Sequence, residues 1–191
     1  FSLFGSEADT LSWYQSQVAL TEMQSKTISL HECRGWSFEP ESGSFVHESG
    51  KFFRVEGKRV EGTSSREVTT GWDQPVLTQV GFDGGILGLI RKRFDGIPHY
   101  LVEAKAEPGN YNIVQISTTV QATYSNIEQA HRGKKPSYSD IFLTPDEYPV
   151  SVLFDQWTSE DGGRLFNKRN RSMLVEYDEN CDLELHSERF H

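Results

Sequence analysis

The chain has 191 residues, is 36% hydrophobic and 12% aromatic, and carries a formal net charge of −9. That length suggests one domain, or at most two small ones, long enough to bury a core, and so many large rings exclude a disordered polymer. The acidity argues against a nucleic-acid-binding surface, and no apolar run approaches the ~18 residues of a membrane span.

From Glu7 to about Gln24 there is no Gly or Pro. Leu11, Tyr14, Val18 and Leu20 or Met23 recur near helical spacing, so an amphipathic leading helix is predicted, capped by Ser6 or Asp9-Thr10. After Ser25 glycines recur among β-branched and aromatic residues. Lys51 to Gly57 alternates as a strand, with Gly57-Lys58 offering a hairpin turn before Val60. Three further strands are predicted at 85–94, 97–106 and 112–123. Asp95-Gly96 between the first two is the strongest short hairpin signal, and Glu107-Pro108-Gly109-Asn110 is a second strong turn. Residues 125–135 are polar with room for a short helical turn, and Pro136, Pro145 and Pro149 mark an irregular connection. Val150–Phe154 reads as a strand or a helix start. Met173–Tyr177 reads as a strand, turned by Asp178-Glu179-Asn180 toward Leu183 and Leu185. With no repeat or linker in view, the expectation is a single α+β domain over 1–191, built on a mixed or antiparallel sheet.

Cys33 and Cys181 are the only cysteines, too few for a disulfide framework or a Cys-x-x-Cys zinc site. The opening residues lack a basic n-region and a long apolar h-region. A reduced, cytoplasmic protein is expected. Gly-x-Gly-x-x-Gly, the phosphate-loop Gly-Lys-Ser/Thr, His-Glu-x-x-His and Gly-x-Ser-x-Gly are all missing, which leaves hydride transfer, kinase and zinc-hydrolase chemistry unsupported. The six histidines are scattered, and His186 and His191 read equally as part of a disordered tail.

Ser159-Glu160-Asp161-Gly162-Gly163-Arg164-Leu165-Phe166 is the densest stretch of chemistry. Glycines permit a sharp turn or close ligand approach, Arg164 offers a flat fork to a phosphate, and the two acids can move a proton. A β-turn with solvated charges accounts for the same residues.

Read in order, several segments resemble the nucleotide-diphosphate-hexose 2,3-dehydratase family of deoxysugar biosynthesis. They are Ser49–Gly57, Arg66-Glu67-Val68 and Trp72-Asp73-Gln74-Pro75. Then come His99–Lys105, Glu107–Asn110, Thr119–Thr123 and Ser125-Asn126, and finally Ser159–Phe166 with Asn170-Arg171 and Met173–Glu176. The resemblance implies a Nudix-like fold, a mixed β-sheet with flanking helices. It implies elimination of water across C2 and C3 of a 4-keto-6-deoxy sugar nucleotide, by default linked to thymidine diphosphate, without a cofactor. The Nudix metal signature is not matched, because Arg66-Glu67 lacks the second acidic pair, so no metal is expected. Family members look like tandem duplications, whereas this chain reads as one unit. A homodimer could replace the tandem. The alternative is a non-catalytic nucleotide-sugar-binding or accessory module of the same fold.

That reaction needs a base at C3, a proton donor at O2, donors for the enolate and an anchor for the diphosphate. His99, Glu103, Glu107, Glu160 and Asp161 are the acids and bases considered. Glu160 and Asp161 are favoured, His99 and Glu107 follow, and Glu103 reads as the outward face of a strand. Arg164, Arg171 and Lys105 are the anchors; Trp72 could stack on the base; Gln74, Gln121 and Asn126 could read its edges. Each has a plainer reading: a half-buried strand histidine, a turn carboxylate, a surface ion pair, a core tryptophan, amides bridging backbone. Arg91-Lys92-Arg93 reads as a solvated strand end.

Overall fold

The computed structural model describes residues 3–65, 68–81, 84–130 and 132–191; the Arg66-Glu67 pair lies outside them. The chain forms two units. Unit one comprises Phe1–Lys26, Gly85–Trp157 and Arg171–His191, and unit two comprises Thr27–Gly84 and Thr158–Asn170.

In chain order the elements are α1 (Glu7–Leu20), β1 (Trp36–Phe38), β2 (Phe45–His47), β3 (Arg54–Val60) and β4 (Trp72–Thr78). There follow β5 (Gly85–Phe94), β6 (Ile97–Ala106), β7 (Val114–Thr118), β8 (Val120–Thr123), α2 (Tyr124–Ile127) and α3 (Ser139–Leu143). The last are β9 (Val150–Ser159), β10 (Leu165–Phe166) and β11 (Arg169–Tyr177). Unit two carries the sheet β1-β2-β3-β4-β10, in which β10 joins β4 in parallel. Gly57-Lys58 does not turn. β3 runs straight through it, with Gly57 opposite Pro75 and Lys58 opposite Gln74, and the chain reverses only beyond Val60.

Unit one carries the sheet β7-β6-β5-β11-β9, with β8 added on β5. β5 and β6 form the expected hairpin, Phe94 facing Ile97. Asp95 and Gly96 stand at φ 50° and 76°, the left-handed pair that matches strand twist across a two-residue loop. β5 and β6 part beyond the Ile90–Leu101 pair. The segment read as one strand over 112–123 fills this fork as two, β7 on β6 and β8 on β5. Thr119 sits at the vertex, 1% exposed; its hydroxyl donates to Leu101 O (2.5 Å) and accepts from Ile90 N–H (2.9 Å). The polar side chain thereby replaces the ladder bonds lost where the strands separate.

The core of unit one is Ile86 and Ile90 of β5, Val120, Met173 and Val175, covered by Ile127, Ile141 and Phe142 and joined by Phe190. Phe142 is fully buried against Gly88, where an added Cβ would stand 2.6 Å from the ring. Helix α1 ends at Leu20 rather than near Gln24, and Ser6 and Asp9 form its capping box. It buries no residue. Of the expected apolar face Tyr14 and Val18 are half-buried, while Leu11 stays 49% exposed and Leu20 66%. Polar tips add to the hold on the helix: Trp13 Nε1 donates to Glu188 O (2.9 Å) and Tyr14 Oη to Val114 O (3.0 Å).

Nor is Arg91-Lys92-Arg93 a solvated end. Lys92 is buried, its ammonium donating to Cys181 O beside the Phe94 and Tyr177 rings. The tail is ordered as well. Residues 189–191 pair with β6 through Ala104 N–H to Arg189 O (2.8 Å) and mutual bonds of Val102 with His191 (3.0 Å). Among the described residues no helix is long and apolar enough to cross a membrane.

Candidate functional site

A cavity of about 430 Å³ opens in unit one over the strand fork. Glu103 and Lys105, two apart on β6, line one wall. Gln121 comes from the strand turned at Thr119, Asn126 from α2, Lys134 and Lys135 from the following loop, and Arg189 from the paired tail. The fork is the reason these residues meet. Without the bend at Thr119, β8 would continue along β6 and carry Gln121 and α2 away.

Among the described residues Glu103 is the only carboxylate lining the cavity, its side chain 13% exposed. Burial pushes its carboxyl above the ordinary glutamate value; Arg189 and Lys105 act against that rise and Glu107 adds to it. Arg189 Nη2 stands 3.5 Å from Glu103 Oε1. Lys105 donates to Gln121 O and lies 3.8 Å from Glu107 Oε1. Ser117 Oγ donates to Gln121 Oε1 (2.7 Å), which orients that amide. Lys135 pairs with Asp140. Four cations around one carboxylate make a positive recess on an acidic chain, a setting for a polyanionic ligand bearing a group to be deprotonated.

Lys105, Gln121 and Asn126 are thus brought together. Glu107 lies near Lys105 outside the lining, 41% exposed. His99 is engaged at both ring nitrogens: Nδ1 bonds Ile97 O (2.9 Å), and Nε2 accepts from Leu3 N–H (3.1 Å). Phe4 and Phe94 meet its ring edge-on.

The acids of the 159–166 stretch fall in unit two and are partnered there. Glu160 accepts from Asn170 Nδ2 (2.7 Å), with the Lys168 ammonium 3.7 Å away. Asp161 accepts from Arg164 Nε (2.8 Å) and Nη2 (2.6 Å), and the Arg164 side chain is 82% exposed. The left-handed residues here are Asp161 and Asn167, not Gly162 or Gly163. Trp72 Nε1 donates to Gln74 Oε1 (2.5 Å) and Gln74 Nε2 to Gly163 O (2.5 Å), tying β4 to this turn.

Arg171, in unit one, makes a two-pronged pair with Asp155, Nε–Oδ1 2.9 Å and Nη2–Oδ2 2.6 Å. Hydrogen bonding from Arg171 holds the Asp155 carboxyl below its ordinary value of 3.8. A depressed carboxyl adds stability that is complete above the unfolded value and is lost as pH falls through the folded one. Arg171→Met is therefore expected to lower stability at neutral pH by roughly 1–3 kcal/mol and to blunt the acid loss below about pH 4. Urea melts at neutral and acid pH check this; an unchanged midpoint at neutral pH would show the pair to be inert.

Glu103 was weighed from the sequence and set aside as an outward strand face, and Arg189 was missed. Alternation on β6 predicts a side for Glu103 but not what covers that side, and Arg189 sits in a stretch read as a tail. The one available signal was Phe190, a large ring out of place in a solvated tail.

A family model for NDP-hexose 2,3-dehydratase matches residues 7–191. The chain is 41% identical over 166 residues to a dTDP-4-dehydro-6-deoxy-alpha-D-glucopyranose 2,3-dehydratase of Streptomyces violaceoruber, covering 86% of this chain and 36% of that protein. It is 40% identical over 167 residues to the enzyme of that name from Saccharopolyspora spinosa, 87% of this chain and 33% of the relative. For that of Amycolatopsis orientalis the values are 38% over 171 residues, 88% and 36%. The chain spans about a third of the length of the curated relatives it matches.

Proposed function

This chain belongs to the NDP-hexose 2,3-dehydratase family, and from that premise we propose that the cavity of unit one binds a nucleotide-diphosphate 4-keto-6-deoxyhexose and removes water across C2 and C3. One observation carries the reading. Three separate stretches of the resemblance, 99–105, 119–123 and 125–126, deliver Glu103, Lys105, Gln121 and Asn126 to a single cationic recess. The three relatives act, by their names, on a dTDP-linked sugar, and that nucleotide is the one proposed here.

In this reading Glu103 is the base. His99 has both ring nitrogens occupied, Glu107 lies outside the cavity lining, and Glu160 and Asp161 are held by Asn170 and Arg164. The C4 ketone acidifies the C3 proton. Glu103 takes that proton, and electron density moves through the enolate to expel the C2 hydroxyl, which leaves as water once protonated. The same carboxyl can return the proton to the departing oxygen. The enol product rearranges to a 3,4-diketone. Lys105 stabilises the developing enolate, and Lys134 and Lys135 serve the diphosphate. Substrate and product are at the same oxidation level overall, so the chemistry calls for no redox cofactor.

We further propose a Nudix-like fold, supported by the mixed sheet of unit one with α2 and α3 on one face, and a homodimer. The relatives' extra length leaves room for a second such unit, which a copy of this chain would supply. Light scattering should return twice the 21.8 kDa chain mass, and a one-chain mass would end the dimer reading.

The test of function is incubation of the purified chain with dTDP-4-keto-6-deoxyglucose and mass spectrometry for the loss of one water. Loss of water establishes the elimination. Tight binding without loss leaves the non-catalytic nucleotide-sugar module, and no binding removes the substrate assignment.

A further inference from the structure

Arg189 reaches the cavity by a route that has nothing to do with the strands that build it. Phe190 is 3% exposed and plugs the core beside Tyr138, meeting that ring edge-on at 4.9 Å. Tyr138 also fixes the approach, donating to Glu184 O (2.8 Å), accepting from His186 N–H (2.8 Å) and stacking on the His186 ring at 4.0 Å. On the far side His191 stacks on Trp13 at 4.8 Å. Phe190 lies directly opposite Glu103, so those two side chains share a face of the sheet, and alternation starts Arg189 and His191 on the other face. Backbone pairing of 189–191 with Val102 and Ala104 fixes Arg189 next to that pair, and its long side chain reaches back to bring Nη2 within 3.5 Å of Glu103 Oε1.

We infer that Arg189 is a positioning residue for the Glu103 carboxylate: the strand-paired segment 189–191 carries the guanidinium to the cavity wall and holds that carboxylate ionised and aimed inward. Geometry supports this over a casual surface pair. The Arg189 side chain is 57% exposed while that of Glu103 is 13% exposed, so the cation stays hydrated and loses little on approach, while the carboxylate gains a close ion-pair partner. The other charged groups near Glu103 among the described residues are Lys105 on its own strand, Glu107 just past the end of that strand, and Lys134 and Lys135 from the loop. Lys105 is drawn off to Gln121 O and Glu107, and Lys135 to Asp140. The strand turned at Thr119 and α2 present uncharged side chains to the cavity. The catalytic meaning of the contact rests on the reading of Glu103 as base; the contact itself does not.

The experiment is a carbon-13 carboxyl NMR titration of Glu103 in the folded wild type, Arg189→Met and Arg189→Lys, with the pH profile of dehydration measured alongside. Methionine keeps the stem and the backbone pairing but removes the charge. Its midpoint is expected to rise by roughly one pH unit, and lysine to restore at least half of that rise. On the acid limb, turnover in Arg189→Met should fall about tenfold with KM little changed, because the proton competes with the reaction rather than with the substrate. An unchanged Glu103 midpoint in Arg189→Met overturns the inference. A raised midpoint with an acid limb that does not follow upholds the contact and overturns Glu103 as the base.

Discussion

Glu103→Gln is expected to lower kcat by roughly 10²–10⁴-fold, the span that a single positioned general base supplies. The amide keeps the shape and one acceptor but cannot take the C3 proton. Binding should survive, because Lys134 and Lys135 remain to meet the diphosphate. The same substitution has an opposite effect on stability. Burial raises the Glu103 carboxyl above its ordinary value of 4.5, so across the window between the unfolded and folded values the folded chain binds the extra proton. Stability therefore falls as pH rises through that window, and at neutral pH the charged carboxylate is a standing penalty that glutamine lacks. Arg189 is exposed enough that losing its partner strands no buried cation. The variant should thus be inactive and at least as stable as wild type at pH 7. Turnover within tenfold of wild type would take Glu103 out of the chemistry, and a variant that melts well below wild type would show its charge to be structural.

Phe142→Ala is expected to lower stability by about 3–5 kcal/mol, seen as a fall in Tm on the order of 6–20 °C for a chain of this length. Phe142 is wholly buried in the cluster that joins α3 to β5 and β11, and its ring rests on Gly88. A cavity there is walled by strand backbone, which collapses poorly. The converse change, Gly88→Ala, drives a methyl to 2.6 Å from the ring and should destabilise through overpacking. Thermal melts of both variants read the packing directly. A fall of less than 1 kcal/mol in Phe142→Ala would mean that α3 is not fixed on the sheet as described.

Much of unit one was legible before the fold was in view. The β5–β6 hairpin was, because Asp-Gly tolerates positive φ at both turn positions and the flanking residues are strongly β-forming. Lys105, Gln121 and Asn126 were legible through resemblance, and they do share one cavity. In the 159–166 stretch, the densest in chemistry, the plainer reading describes what the side chains touch: Asp161 turns the chain, Arg164 answers Asp161, and Glu160 answers Asn170. Charged residues clustered in sequence are the ones able to satisfy each other locally.

The strand content of the central region, the capped leading helix, the hairpin at Asp95-Gly96 and the family could all be read along the chain. Each of these rests on interactions among residues a few positions apart, or on an ordered set of short stretches. Long-range packing determines that β7 and β8 break at Thr119 to fill a fork, that Lys92 is buried, that the tips of Trp13 and Tyr14 find backbone carbonyls, and that Glu103 meets Arg189. Those outcomes depend on which distant segment covers a given face, and periodicity along one strand carries no information about that partner.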